Sequence, residues 1–353
     1  MQSNSTNNIH MEVQDYYGKT LSKSTDLKTN ACCCSASFPS WQKKIISEIE
    51  DEIIEKFYGC GSPIPLELEG KTVLDLGCGS GRDVYIASKL VGENGFVIGV
   101  DMTDEQLAVA NKYVDIQTKK FGFAKPNVIF KKGIIEDLKS CGIEDNSVDV
   151  IISNCVINLS DDKETVFKEI FRVLKPGGEL YFSDVFTDRR IPKNLKNDPV
   201  LYGECLSNAM YVEDFRRMLR SIGILDYRIT EESIITIENK EVEEKIGFIN
   251  FTSLTVRAFK INSLEDICED YGQIATYKGT IEHSPHKFML DDHHLFETGK
   301  PMLVCGNTAD MLSKTRFAEH FNVVGNKNVH FGPFPCDTPI ANSGDKSSSS
   351  CNC

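Results

Sequence analysis

Residues 71 to 83 read Lys71-Thr-Val-Leu-Asp-Leu-Gly-Cys-Gly-Ser-Gly-Arg-Asp83, a short apolar strand, a glycine loop and the opening of a helix. Val73, Leu74 and Leu76 form the run of a strand covered on both faces. Gly77, Gly79 and Gly81 let the backbone turn tightly and approach a ligand. The dinucleotide fingerprint spaces its glycines G-x-G-x-x-G. Here the third glycine falls one residue early, at Gly81, and Arg82 stands where that spacing puts glycine. The loop is nucleotide-like without being NAD-like.

The strands after the loop strengthen this reading. Phe96-Val-Ile-Gly-Val100 is a second apolar strand, ending in Asp101 about twenty residues on, where an acidic side chain can accept from both hydroxyls of a ribose. Asn127 to Phe130 gives a third strand, and Gly133-Ile-Ile-Glu136-Asp137 places Ile135 against an adenine face with a carboxylate near its amino group. Asp149 to Asn154 supplies a further strand, and Leu174 to Phe182 a helix stop and the next one. Strands alternating with helices predict an α/β, doubly wound, mostly parallel sheet. In such sheets the ligand lies at the carboxyl ends of the strands, where Gly77, Asp101, Glu136 and Asn154 all fall.

Outside the sheet, residues 1–12 read as a polar arm. Three adjacent thiols, Cys32, Cys33 and Cys34, occupy a loop before Pro39. The apolar positions between Trp41 and Phe57 predict one amphipathic helix, ended by glycines at 59 and 61 in a left-handed stop. Thr103-Asp-Glu-Gln106 has the form of a capping box opening a helix through Phe121. From about residue 248 period-two stretches, including Phe251 to Phe259, predict a smaller strand-rich C-terminal domain. The expected division is 1–70 for the arm, thiol loop and helix, 71–247 for the ligand-binding sheet, 248–336 for the second domain and 337–353 for a disordered tail ending in Cys351 and Cys353.

Composition limits the function. The 353 residues carry a net charge of −13 and no basic stripe, which argues against nucleic acid. No secretion signal and no apolar run of membrane-spanning length are seen, so a cytoplasmic protein without a membrane partner is expected. Thirteen cysteines in a reducing compartment read as ligands, nucleophiles or redox couples, and no C-x-x-C supports a structural zinc site. All seven histidines lie outside residues 11–282, which leaves the sheet domain without a histidine base.

The strand-end set resembles the motifs of class I S-adenosylmethionine methyltransferases. Adding Thr29-Asn-Ala-Cys32, Tyr58-Gly-Cys60-Gly61, Ser153-Asn-Cys155-Val-Ile-Asn-Leu159, Gly178 to Asp184 and Gly203-Glu-Cys205, the chain resembles the arsenite methyltransferases over nearly its whole length. The resemblance implies S-adenosylmethionine as cofactor, contacted by Tyr58, Asp75, Gly77, Gly79, Gly81, Asp101, Met102, Gln106, Ile135, Glu136 and Asn154. It implies catalytic cysteines at Cys32, Cys60, Cys155 and Cys205. Trivalent arsenic would sit on Cys155 and Cys205 with Cys60 as third sulfur, as suits a soft centre and thiolate ligands. It further implies a Cys32–Cys60 disulfide reopened by a thioredoxin-like or glutathione reductant, with arsenite or its glutathione conjugate as substrate and arsenic detoxification as the role. Cys33 and Cys34 adjoin Cys32 and can take its place. Cys78 is read as a pocket-lining residue, and Cys141, Cys268, Cys305 and Cys336 as small buried hydrophobes. Two alternatives stay open: a methyltransferase with a small organic acceptor, and a non-catalytic thiol protein that binds arsenic.

Overall fold

The computed structural model describes residues 38–59, 61–196, 198, 201, 206–237 and 239–336. Cys32, Cys60, Cys205 and the terminal pair Cys351 and Cys353 therefore lie outside the described residues. The main sheet is built from β1 (Thr72–Leu76), β2 (Phe96–Asp101), β3 (Val128–Lys132), β4 (Val148–Asn154), β5 (Leu174–Thr187), β6 (Met210–Tyr211), β7 (Arg228–Ile235) and β8 (Phe251–Phe259). Its order is β3-β2-β1-β4-β5-β8-β7, with β6 beside β5. The β1, β2, β3, β4 and β5 pairings are parallel, and the edge formed by β8 and β7 is antiparallel. The chain thus has the expected doubly wound sheet. Phe251–Phe259, expected to open the second domain, instead lies inside this sheet, because its backbone pairs antiparallel with β5 along one edge and with β7 along the other.

The amphipathic segment before β1 is two short helices, α1 (Ser40–Ile46) and α2 (Asp51–Glu55), rather than one. Glu50 is extended (ψ 138°), and the turn between the helices closes with bonds from Glu48 N to Ile45 O and Ile49 N to Ile46 O, both 3.0 Å. The apolar face survives the break: Ile45, Ile49 and Ile53 are all buried against the sheet's helical layer. The glycines at 59 and 61 are not left-handed. They are needed for close approach, since a Cβ at Gly59 would lie 2.7 Å from Asn154 Cγ and one at Gly61 would overlap the Ser183 side chain.

The segment from Gly81 forms α3 (Arg82–Val91), and the capping-box segment forms α4 (Asp104–Lys112) and α5 (Val114–Phe121). Thr103 sits at the N-cap position but its side chain makes no cap bond. The helix opened at Ser160-Asp-Asp is α6 (Lys163–Val173), and Asp162 does cap it, accepting from Thr165 N.

Beyond β8 the chain builds a smaller strand-rich unit. Its three-stranded antiparallel sheet joins β10 (Gln273–Tyr277), β13 (Pro301–Val304) and β14 (Phe321–Val324), beside α9 (Gly306–Ser313). Tyr277, Phe288, Phe296, Phe317 and Phe321 form an aromatic core that also takes in Phe259 from the end of β8. Beneath it lies a buried ion cluster. Glu179 of β5 accepts from Arg257 Nε of β8 at 2.6 Å and pairs with Arg316 through its other oxygen. Arg257 also donates to Leu290 O at 2.5 Å and Arg316 to Leu66 O at 3.0 Å. One carboxylate therefore ties the main sheet, the C-terminal unit and the chain leading into β1.

Glu179 is fully buried, so Glu179→Ala leaves two guanidinium groups in a dry interior without their anion. Loss of about 3 to 5 kcal/mol of stability is expected. Denaturant unfolding monitored on the full chain checks this, and a loss below about 1 kcal/mol would show that the arginines find water or other partners.

Candidate active site

The strand ends surround one cavity, enclosing about 960 Å³ with its mouth included. Its floor is the glycine loop. Gly77 N and Cys78 N both donate to Val100 O, at 2.8 and 3.0 Å, which anchors the loop to the end of β2. Gly77, Gly79 and Gly81 all have positive φ (69°, 51° and 93°), so the early third glycine serves backbone conformation. A Cβ at Gly79 would meet only Gln106, at 3.9 Å, which leaves that stretch of backbone open to a ligand.

Asp101 fixes the geometry. Its Oδ2 accepts from Gly79 N at 2.9 Å and its Oδ1 from Thr103 N at 2.8 Å. The Met102 N–H and the Thr103 side chain also bond this carboxyl. Burial pushes this carboxyl above its ordinary range, opposed by those backbone N–H groups. Asp75, 2% exposed, is pushed well up by burial and by the neighbouring Asp83 and Asp101, against the pull of Arg82. The same burial and the Asp101 and Asp75 charges raise the Cys78 thiol, so it remains a neutral lining group. With Glu136 held by Ser160 Oγ, the wall carries several carboxylates and suits a cationic ligand.

Arg82 bonds Asp83 through Nε at 2.8 Å and stacks 3.2 Å from the centre of the Phe57 ring. It pulls the end of the N-terminal segment across the loop, bringing Tyr58 to the cavity. Asn154 completes the seam. Its Nδ2 donates to Gly61 O at 2.9 Å and Asp83 Oδ2 at 3.0 Å, and its Oδ1 accepts from Gly61 N at 3.2 Å. Cys155, the next residue, has a φ of +56°, a conformation a non-glycine residue adopts only against resistance. Its N–H donates to Ser183 O of β5 at 2.9 Å, and it is 4% exposed on the cavity wall. Cys155 is disulfide-bonded, whereas Cys78, Cys141, Cys268, Cys305 and Cys336 are free thiols.

The residues expected from the sequence mostly converge. Tyr58, Asp75, Gly77, Gly79, Asp101, Met102, Gln106, Ile135, Glu136, Asn154 and Cys155 line the one cavity. Gly81 does not; it is the left-handed residue before α3, and a Cβ there would press on Phe130 at 3.0 Å. Three participants were missed in the sequence. Asp83 lines the cavity and receives the Asn154 bond, and its signal was an acid in the first turn after the glycines. Ser160 pins Glu136 across 24 residues, and Val156 blocks any side chain at Gly77; neither carried a local signal.

A doubly wound sheet with this glycine loop, an acid closing β2 and an acidic cavity at the strand ends defines a class I S-adenosylmethionine-dependent methyltransferase. Residues 67–223 match the model of a methyltransferase domain, and residues 271–339 that of the arsenite methyltransferase C-terminal domain. The chain is 52% identical over 326 residues to an arsenite methyltransferase of Aquipseudomonas alcaligenes, covering 92% of this chain and 94% of that one. It is 42% identical over 316 residues to the arsenite methyltransferase of Homo sapiens, covering 89% and 83%. The crystal structure of an arsenic(III) S-adenosylmethionine methyltransferase from Chlamydomonas reinhardtii is similar with a TM-score of 0.82 at 50% identity, covering 84% of this chain and 100% of that one. The chain belongs to the arsenite methyltransferases, and its methyl donor is S-adenosylmethionine. Among the described residues no helix is long and apolar enough to cross a membrane.

Asp101→Ala strands the N–H groups of Gly79 and Thr103 that shape the glycine loop and the entry to α4. S-adenosylmethionine binding should weaken by at least about tenfold, or 1.4 kcal/mol; an unchanged dissociation constant by calorimetry would place the ribose elsewhere.

Asp184, after the Ser183 that holds Cys155, is fully buried, and burial raises it to about 7 against the pull of the Val185 and Asn158 N–H groups. The folded chain therefore binds a proton up to about pH 7 that the unfolded chain releases near pH 4. This contribution to stability is complete below about pH 4 and is lost as pH rises through 7. The Tm of Asp184→Asn should gain on the parent chain as pH rises from about 4 to 7 and level off above that, and a pH-independent difference would contradict the assignment.

Proposed function

We propose that this enzyme holds trivalent arsenic, delivered as arsenite or its glutathione conjugate, on the thiolates of Cys155, Cys205 and Cys60. Cys155 carries the reading. A strained backbone conformation fixes it in the wall of the cofactor cavity, and strain of this kind persists where the surroundings over-determine it. Both glycines flanking Cys60 pack against the ends of β4 and β5, at Asn154 and Ser183, which supports Cys60 as a partner on the same side of the sheet.

S-adenosylmethionine supplies the methyl on a cationic sulfonium, an electrophile that the carboxylates of Asp75, Asp83, Asp101 and Glu136 attract and orient. The thiolates present arsenic with its lone pair toward that methyl. An As–C bond forms as the donor's C–S bond breaks, and the sulfur keeps the bonding pair. No group has to give up a proton at transfer, which suits a sheet domain without histidine. Holding such a near-attack pair lowers the barrier by roughly 7 to 11 kcal/mol. Arsenic passes from the trivalent to the pentavalent state. The Cys32 thiol, giving up its one proton, attacks the sulfur of Cys60; the Cys60–As bond breaks and leaves its pair on arsenic, which returns to the trivalent state, and a thioredoxin-like dithiol or glutathione reopens the Cys32–Cys60 disulfide. An arsenic-binding Cys155 must first be a free thiol, so reductant has to act before substrate. The setting is the reducing cytoplasm and the role arsenic detoxification.

Cys155→Ser should abolish formation of methylated arsenic while binding S-adenosylmethionine as the parent chain does. Chromatographic speciation of arsenic after incubation with arsenite, cofactor and thiol is the measurement. A variant still turning over at more than about a tenth of the parent rate, less than 1.4 kcal/mol in barrier, would remove Cys155 from the reaction.

A further inference from the structure

Cys268, Cys305 and Cys336, expected singly as small buried hydrophobes, come together. Their sulfurs all lie within 4.8 Å of one another. They come from three separate places in the chain: the residue before β9 (Glu269–Asp270), the residue capping α9, and the segment after β15 (Gly332–Pro333). Antiparallel pairing of β9 with β15, continued by a bond from Phe334 N to Cys268 O at 2.8 Å, brings the first and last alongside. Cys305 is buried and its Sγ accepts from Thr308 N at 3.4 Å. Cys268 and Cys336 are half-buried and face an open cleft. All three are free thiols.

This group is separate from Cys155. Arg228, whose Nη2 lies 3.9 Å from Cys305 Sγ, opens β7, and Cys155 follows β4. The order β4-β5-β8-β7 puts three strand spacings, about 14 Å, between them.

The donor set selects the ligand. Three sulfurs converge and, among the described residues, no histidine, carboxylate or fourth cysteine joins the group. His294 reaches only as far as Thr308 Oγ1, at 3.4 Å. Structural zinc takes four protein ligands, and a guanidinium beside the sulfurs opposes a dication. A trivalent arsenic centre needs only three sulfurs, forms a neutral pyramid with them, and keeps its fourth direction for a lone pair. It is also a soft centre of the kind thiolates select.

We propose that Cys268, Cys305 and Cys336 form a second arsenic site in the C-terminal unit, a three-thiolate pocket for arsenic(III) that is distinct from the site of methyl transfer. Loading from arsenous acid balances without redox change: three As–O bonds and three S–H bonds break, three As–S bonds form, and three waters leave. The open cleft past Cys268 and Cys336 gives the route in.

The test is alkylation of the reduced full chain with N-ethylmaleimide, alone, with arsenite and with zinc, read cysteine by cysteine through peptide mass mapping. Because each thiol is read separately, failure of the catalytic assignment would not affect the result. Arsenite should slow modification of Cys268 and Cys336 by about tenfold or more, since a bound thiolate is no longer a nucleophile. That protection should fall away at Cys336 in Cys268→Ser, a change at a half-exposed position that spares the core, and at both in Cys305→Ser. Unchanged rates in arsenite, protection of Cys336 that survives Cys268→Ser, or protection by zinc but not by arsenite would each overturn the proposal.

Discussion

The carboxylate of Asp101 accepts one backbone N–H from the glycine loop, at Gly79, and one from the entry to α4, at Thr103. Two βα units that would otherwise diverge at the top of the sheet are thereby held around a single anion. The arrangement works against burial, which favours the neutral acid, and is maintained because each oxygen has a directed donor. Asp75 and Asp83 crowd the same floor. The resulting concentration of negative charge in a cavity shielded from water is costly alone, and a cationic ligand relieves it.

The Cys155 end of the cavity depends on a second seam. Asn154 uses its amide to join three pieces of chain: β4, the first turn of α3 through Asp83, and the entry segment at Gly61. The close approach at Gly59 and Gly61 has no room for side chains. Cys155 then turns through a left-handed conformation with its N–H on Ser183, which lets a strand end present a sulfur on the cavity wall. Backbone geometry, more than side-chain choice, positions the sulfur.

The C-terminal unit is joined to the catalytic sheet through its interior. Glu179, Arg257 and Arg316 form a dry ion cluster below the shared aromatic core, and Trp41 of α1 stacks on His283 at 5.0 Å across the outside. Movement of the C-terminal unit therefore disturbs β5, the strand that carries Ser183, and the chain entering β1. The thiol cluster formed by Cys268, Cys305 and Cys336 lies beside Arg228 of β7, the residue in register with Arg257 of β8.

Local chemistry was enough to write the parallel half of this fold. Apolar runs of strand length, glycines at 77, 79 and 81 and an acid at 101 act within a few residues of one another, so order along the chain specified the sheet, its ligand edge and most of the cavity lining. Residues brought together over long separations were invisible there. The break in the helix before β1, the placement of Phe251–Phe259 inside the main sheet, the grip of Asn154 on Gly61 and the meeting of Cys268, Cys305 and Cys336 depend on which surfaces pack. Sequence spacing carries the strand and helix periods, which are properties of neighbouring residues. Contacts such as Gly61 with Asn154, 93 positions apart, exist only once burial of the two faces of the sheet has fixed where each segment lies.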